Sequence, residues 1–175
     1  MKCFSTLAAA SLLGLATAVD MSAYVAGEGV DAEFKNYLDV LYYEAELSTA
    51  TTGFTDFFIP NGKLIVRGRT ATGSADILAF KQQLMPPNGN KHWNHLPNVT
   101  TVVEDSAERK TFHVLGLIDT TYDGGNCSRA YYVSEFPIQK RVDGTIDFTP
   151  KKGNLIEYND IDINPLVSPT DIPCE

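Results

Sequence analysis

Apolar positions recur at helical spacing near the start of the chain and at strand spacing through most of its second half. From Asp31 onward, Phe34, Leu38, Leu41, Tyr42 and Ala45 come every three or four residues, which gives a helix one apolar face. Asp31 is placed to cap that helix, and Glu33 falls in its first turn, where the amide dipoles favour an anion. Thr49, Thr51, Thr52 and Gly53 end it, because β-branched residues and glycine propagate a helix poorly. A second helix is predicted from its cap Ser74 through Ile77, Leu78, Phe80, Lys81 and Leu84 to Met85, stopped by Pro86-Pro-Asn-Gly89. Between the two helices lie an aromatic block from Phe54, a Pro60-Asn-Gly62 turn, a short strand over 63–66 and a loop over 68–73.

Beyond Asn98 the pattern turns to β. Runs of strand character cover 98–104, 110–122 and 128–139, a further segment passes through Ile146 and Phe148, and a last strand covers 154–163. Polar or glycine-containing reversals at 105–109, 123–126 and 142–144 separate them. Helices followed by hairpins predict an α+β architecture, with helices packed on one face of a mostly antiparallel sheet. A strongly bent sheet covered by helices leaves a concavity between the layers, the usual place for a small-molecule site. No repeat, low-complexity tract or linker interrupts the chain. One domain over 31–164 is expected, with a short arm at 19–30 before it and a tail at 165–175 after it.

The first 18 residues read differently. Lys2, the apolar run 7–16 and the small-x-small sequence Ala16-Thr-Ala18 have the form of a secretory signal peptide cleaved after Ala18. The run is too short to span a bilayer comfortably. The expectation is a secreted, extracellular protein with no membrane association once the signal is removed. The 175-residue chain carries a formal charge of −8, and loss of Lys2 with the signal makes it −9. Such a surface argues against nucleic acid and anionic membrane as partners. Cleavage also removes Cys3, leaving Cys127 and Cys174 as the pair for a disulfide in an oxidising compartment. Asn98-Val-Thr and Asn126-Cys-Ser are N-glycosylation sequons, which in a secreted protein predict solvent-facing asparagines.

The order of elements resembles the nuclear transport factor 2-like superfamily, and within it the SnoaL-like group, over residues 31–162. The likeness rests on the long first helix, the block Phe54-Thr-Asp-Phe-Phe-Ile-Pro-Asn-Gly-Lys-Leu64, the second helix from Ser74 and the long hairpins from Asn98. It implies a cone-shaped, strongly curved, mostly antiparallel sheet wrapped by the N-terminal helices, with a pocket at the open end. Members include dehydratases, ketosteroid-type isomerases, epoxide hydrolases and polyketide cyclases, alongside non-catalytic adaptors. Members commonly pair across their sheets, so a homodimer is compatible with the resemblance. The secretion signal is a departure from the polyketide-tailoring members, which usually work inside cells. Two places match positions where such enzymes often keep polar groups: Asp56, and His92 or His95.

Asp56 stands among Phe54, Phe57 and Phe58. If buried there, its pKa would rise to suit a general acid or base; alternatively it caps the turn at 60–62 by accepting backbone amides. His92 and His95 are three apart in a proline-flanked stretch that favours loop or strand, so one of them is expected to enter the pocket. His95, nearest the following strand, is the better candidate. His113 lies in a strand with two mostly apolar faces and either points into the pocket or is a satisfied core histidine, the latter favoured. Tyr131 and Tyr132 face opposite ways; one lines the cavity and can offer a phenol to a developing oxyanion. Asp160 and Asp162 read as an acidic rim. No compact metal-ligand spacing, dinucleotide or phosphate loop, or nucleophile elbow occurs, so neither metal nor cofactor is expected. Two functions fit. The first is a secreted protein that binds a small organic ligand or a partner. The alternative is a cofactor-independent dehydratase or isomerase in which Asp56 and His95 exchange protons with the substrate.

Overall fold

A computed structural model describes residues 19–165 and 172–173, with side chains through 161. The predicted signal 1–18, its cleavage point, and most of the tail including Cys174 lie outside the described residues. The first apolar stripe becomes helix α1 (Phe34–Glu46), which buries Phe34, Tyr37, Leu38, Leu41, Tyr42 and Ala45 as the spacing requires. Asp31 does not cap it with its side chain; that carboxylate instead accepts from Lys110 Nζ at 2.6 Å. A single further turn, α2 (Thr52–Thr55), follows where the threonines were expected to end helical structure. The second predicted helix is α3 (Ser74–Leu84).

The strands are β1 (Val25–Ala26), β2 (Phe58–Val66), β3 (Arg69–Thr72), β4 (Lys91–Asp105), β5 (Arg109–Tyr122), β6 (Asn126–Gln139), β7 (Leu155–Pro165) and β8 (Ile172–Pro173). Several depart from expectation. β2 begins earlier, because Pro60-Asn-Gly62 is absorbed as an irregularity between the Phe58 and Lys63 pairings rather than forming a free turn. The loop at 68–73 is mostly strand β3, joined to β2 by a two-residue hairpin turn. Arg67 and Gly68 both have positive φ there (51° and 76°), as the tightest hairpins require. β4 begins at Lys91, so the histidine-containing stretch is strand. The segment through Ile146 and Phe148 forms no strand, and β7 continues through the stretch that alternated only in part.

These strands form one sheet in the order β1-β4-β5-β6-β7-β2-β3, with β8 beside β6. The sheet is mixed: β1–β4 and β2–β7 pair in parallel, the other neighbours antiparallel. It is not strongly curved, so the expected cone-shaped, strongly curved sheet is corrected to an open mixed sheet with helices against it. A parallel β2–β7 pairing needs a long crossover, and here the entire hairpin series from β4 to β6 lies within it.

The inner face is read from alternation along β5. Phe112, Val114 and Gly116 are buried there, while Leu115 on the opposite face is exposed. At one end of this face, Phe112 stacks on Phe34 of α1 at 4.0 Å between ring centroids, with Phe136, Tyr37 and Phe57 packed around them. Farther along the same strands smaller inward residues appear, Thr120 on β5 between Ile118 and Tyr122, and Ser128 and Ala130 on β6. The layer is therefore filled at one end and hollow at the other, and side-chain volume accounts for the hollow.

Candidate active site

The hollow is a cavity of about 370 Å³, within the range of small-molecule pockets. The ends of β4, β5 and β6 with β2 and β7 form its floor; α1, α2 and α3 contribute Ala45, Phe54, Lys81 and Leu84. His95 lies in its wall on β4 and is 4 % exposed. Its ring stacks on Tyr42 at 4.2 Å, nearly parallel, and meets Tyr132 edge-on at 5.6 Å.

Glu46, the last residue of α1, fixes the imidazole. Its Oε1 accepts from the His95 backbone N–H and lies 2.9 Å from Nδ1. A carboxylate can only accept, so Nδ1 carries the proton and Nε2 of the neutral ring is a free acceptor. Among the described residues nothing bonds Nε2, and it is not sealed from the cavity. Burial on both sides (5 % and 16 % exposure) shields the pair from competing water.

The second polar group in the wall is Asp160 on β7. Period two sets it beside Tyr158 on the inner face, and the cross-strand register sets it opposite Ser134 of β6. Ser134 Oγ donates to its Oδ1, and no other protein donor reaches the carboxyl among the described residues. Burial raises its pKa to about 6, against the Ser134 hydrogen bond and, whenever that ring is protonated, the charge of His95, which both lower it. Asp160 is thus a cavity carboxyl that holds a proton in mildly acidic solution, and the acidic-rim reading is corrected for it.

Gly116 makes this arrangement possible. A Cβ there would stand 2.6 Å from the Leu96 carbonyl oxygen and 2.7 Å from the Tyr132 hydroxyl, which occupies the space a side chain would take. Tyr132 and Tyr42 bury their hydroxyls without a well-aligned hydrogen-bond partner. Neither borders the cavity, so the expectation that Tyr131 or Tyr132 would line it is corrected; Tyr158 does line it, and burial holds its phenol well above the ordinary range.

The remaining candidates fall elsewhere. Asp56 ends α2 at the surface, its backbone carbonyl accepting from Gly153, and it does not border the cavity. The structure does not bring Asp56 and His95 together: Phe54, Phe57 and Phe58 are buried, but the acid between them points out. His92 is exposed and lies 3.0 Å from Asp123. His113 is half-buried and faces away from the helices, with its Nε2 2.8 Å from Glu135, so it is neither pocket residue nor core. The three histidines do not converge; each meets a different carboxylate. Tyr131 is exposed on the outer face, and Tyr132 is the inward member of its pair. Asn98 and Asn126 are both exposed. Cys127 is buried and registers opposite Ile172, two residues before Cys174. No helix among the described residues is long and apolar enough to cross a membrane.

Glu46 was missed, yet it leaves a trace in the sequence. Glu44 and Glu46 end a helix with no base in its last turn, against the helix dipole. Lys151 takes up Glu44 and His95 takes up Glu46.

Neither a family sequence model nor a curated protein sequence matches the chain. Solved structures match it in fold. A provisionally named aromatic ring hydroxylase from Novosphingobium aromaticivorans superposes with a TM-score of 0.59 at 11 % identity, over 78 % of this chain and 88 % of its own. A provisionally named scytalone dehydratase from the same organism gives 0.57 at 9 %, over 77 % and 83 %. A hexachlorocyclohexane dehydrochlorinase gives 0.55 at 13 %, over 77 % and 90 %. The fold matches, at a distance, that of the nuclear transport factor 2-like superfamily with its SnoaL-like members. At these identities the likeness is one of fold.

Proposed function

We propose that the protein is a cofactor-independent lyase or isomerase that moves protons on a small organic molecule held in the cavity. One observation carries the reading: His95 has its Nδ1 committed to Glu46 while Nε2 is left open to the same enclosed space as a protonatable Asp160. In an elimination, Nε2 takes a proton from carbon, the released electron pair forms the double bond, and the carbon–oxygen bond breaks. The Asp160 proton goes to the leaving oxygen, and solvent returns the proton from His95 to Asp160. In an isomerisation the proton taken by Nε2 is returned to a different carbon. The names dehydratase and dehydrochlorinase among the structures of like fold accord with this reading, which rests on the geometry. It displaces pure ligand binding as the leading function, and Asp160 takes the place first given to Asp56.

The test is turnover against a panel of small β-hydroxy carbonyl compounds and β,γ-enones, for the wild type and for His95→Gln and Asp160→Asn checked for folding. Turnover lost in both variants supports the reading. Full turnover in either rejects that residue, and binding without turnover in the wild type favours the binding module.

Secretion after cleavage at Ala18, glycosylation of Asn98 and a Cys127–Cys174 bridge belong to the same proposal. The β6–β8 register supports the bridge by bringing the end of the chain alongside Cys127. Pairing of two copies through the outer face is supported by the exposed Leu115, Tyr131 and Ile161.

A further inference from the structure

The cavity wall has an unusual charge balance. Acids outnumber bases 22 to 14 in the chain, yet four bases border the cavity (Arg67, Lys81, Lys91 and Arg129) against the single acid Asp160. Two of the four have partners already, and a third stands in solvent. Arg129 grips Asp119 through two hydrogen bonds, Lys91 donates to the Leu84 carbonyl over the face of Trp93, and Arg67 is exposed at the hairpin turn.

Lys81 is different. It is 2 % exposed, and its Nζ donates to the Leu47 carbonyl at 2.7 Å. An ammonium has three protons to donate, and beyond the face of the Phe54 ring 5.8 Å away the described residues supply no second partner. No carboxylate among the described residues lies within ion-pair distance of it. Glu44, whose charge it feels, is bound to Lys151 instead. Burial lowers its pKa to about 8, so the ammonium persists near neutral pH at a cost that a bound anion would relieve. Phe54, Leu64, Val66 and Leu84 line the same space and offer an apolar body nothing to bond.

We propose that the cavity takes a small organic carboxylate, with its anion on Lys81 and its apolar body against Phe54 and Leu84. This deepens the acid–base reading of the same cavity and rests on it. The anion would be anchored on α3, and the remainder of the molecule would be presented to the β4 and β7 walls that carry His95 and Asp160. Arg67 and Lys91 add attraction at the rim, and an acidic surface elsewhere would direct an anion toward this mouth.

Trp93, the chain's single tryptophan, lines the cavity and reports occupancy by fluorescence. The probes are 3-phenylpropionate and its neutral isostere 3-phenylpropionamide, titrated into the full folded chain. The carboxylate is expected to bind at least about tenfold more tightly, as charge-assisted bonds exceed neutral ones, and Lys81→Met should abolish the difference. His95→Gln should keep the preference, so loss of turnover there leaves this proposal standing, while retained turnover would overturn only the acid–base reading. Because Lys81→Met can fail to fold, a second variant, Lys81→Gln, keeps a donor for the Leu47 carbonyl while removing the charge, and it should lose the same preference. Equal affinity of the wild type for the two probes, or a preference that survives in a folded Lys81 variant, would overturn the proposal.

Discussion

The sheet carries the same chemical pair on each face. On the inner face His95 meets Glu46 at 2.9 Å; on the outer face His113 meets Glu135 at 2.8 Å. By distance the two pairs are equivalent. They differ in what surrounds them. His113 and Glu135 are cross-strand neighbours on β5 and β6 and each remains about 30 % exposed, so solvent competes for both. His95 and Glu46 come from a strand and a helix 49 residues apart, are nearly closed to solvent, and leave one ring nitrogen facing a cavity. A histidine–carboxylate contact therefore does not make a site by itself. The free nitrogen and the cavity in front of it do, since charge interactions strengthen where buried walls replace bulk water.

The largest effect that tests this contrast is His95→Gln. If the inner pair is the proton-transfer centre, kcat/KM falls by about 10²–10⁴-fold while the thermal transition moves little, because glutamine can still donate to Glu46. Glu46→Gln leaves the imidazole in place but weakens the group that fixes its tautomer, and the loss should fall at the lower end of that range. Steady-state kinetics on folded protein checks both.

Asp160→Asn comes next, and its signature is a change of pH dependence. The folded-state pKa, about 6, lies above the ordinary 3.8, so the native state binds the proton more tightly than the unfolded chain. This group's contribution is thus most favourable below the unfolded value and is lost as pH rises through about 6. Asp160→Asn removes that slope, so the variant gains stability relative to wild type between about pH 4 and pH 6. Its activity should be low, without the decline that the wild type shows as the carboxyl ionises. Urea unfolding at a series of pH values and a pH–rate profile provide the two readouts.

Much of this arrangement was legible in the sequence. The apolar stripe of α1, the second helix and the hairpin series follow from spacing alone, and His95 was singled out by its nearness to a strand. The acids were read poorly for a physical reason. Aromatic neighbours around Asp56 announce that those neighbours are buried, not which way the acid between them points. Asp160 sits in Tyr158-Asn-Asp-Ile-Asp-Ile, where polar residues alternate with apolar ones and either parity could face inward. Its face is decided by pairing with Ser134 across β6, a contact 26 residues distant that no local pattern contains. Glu46 depends on a partner farther away still. The hollow itself arises where Thr120 of β5 comes to lie beside Ser128 and Ala130 of β6, which becomes visible only once register is known.

A smaller effect probes how the inner pair is supported. Gly116→Ala places a methyl group against the Tyr132 hydroxyl and the Leu96 carbonyl, both closer than real contacts allow. The backbone oxygen cannot yield easily, so a loss of about 1–3 kcal/mol is expected. Displacement of Tyr132 should also reduce turnover modestly through the ring it presents to His95. Chemical denaturation and kinetics on the one variant separate the two consequences.

The smallest expected effect is the most informative about the comparison. His113→Gln and Glu135→Gln each dismantle the outer pair, whose distance matches the inner one, without touching the cavity wall. Partly exposed ion pairs of this kind are worth about 0–1 kcal/mol, so both variants should unfold within that margin of the wild type. Turnover and the affinity for 3-phenylpropionate should be unchanged. If either outer variant reduced turnover as His95→Gln does, enclosure could not be what distinguishes the two faces. The catalytic reading of the inner pair would then have to give way to one in which the outer face takes part.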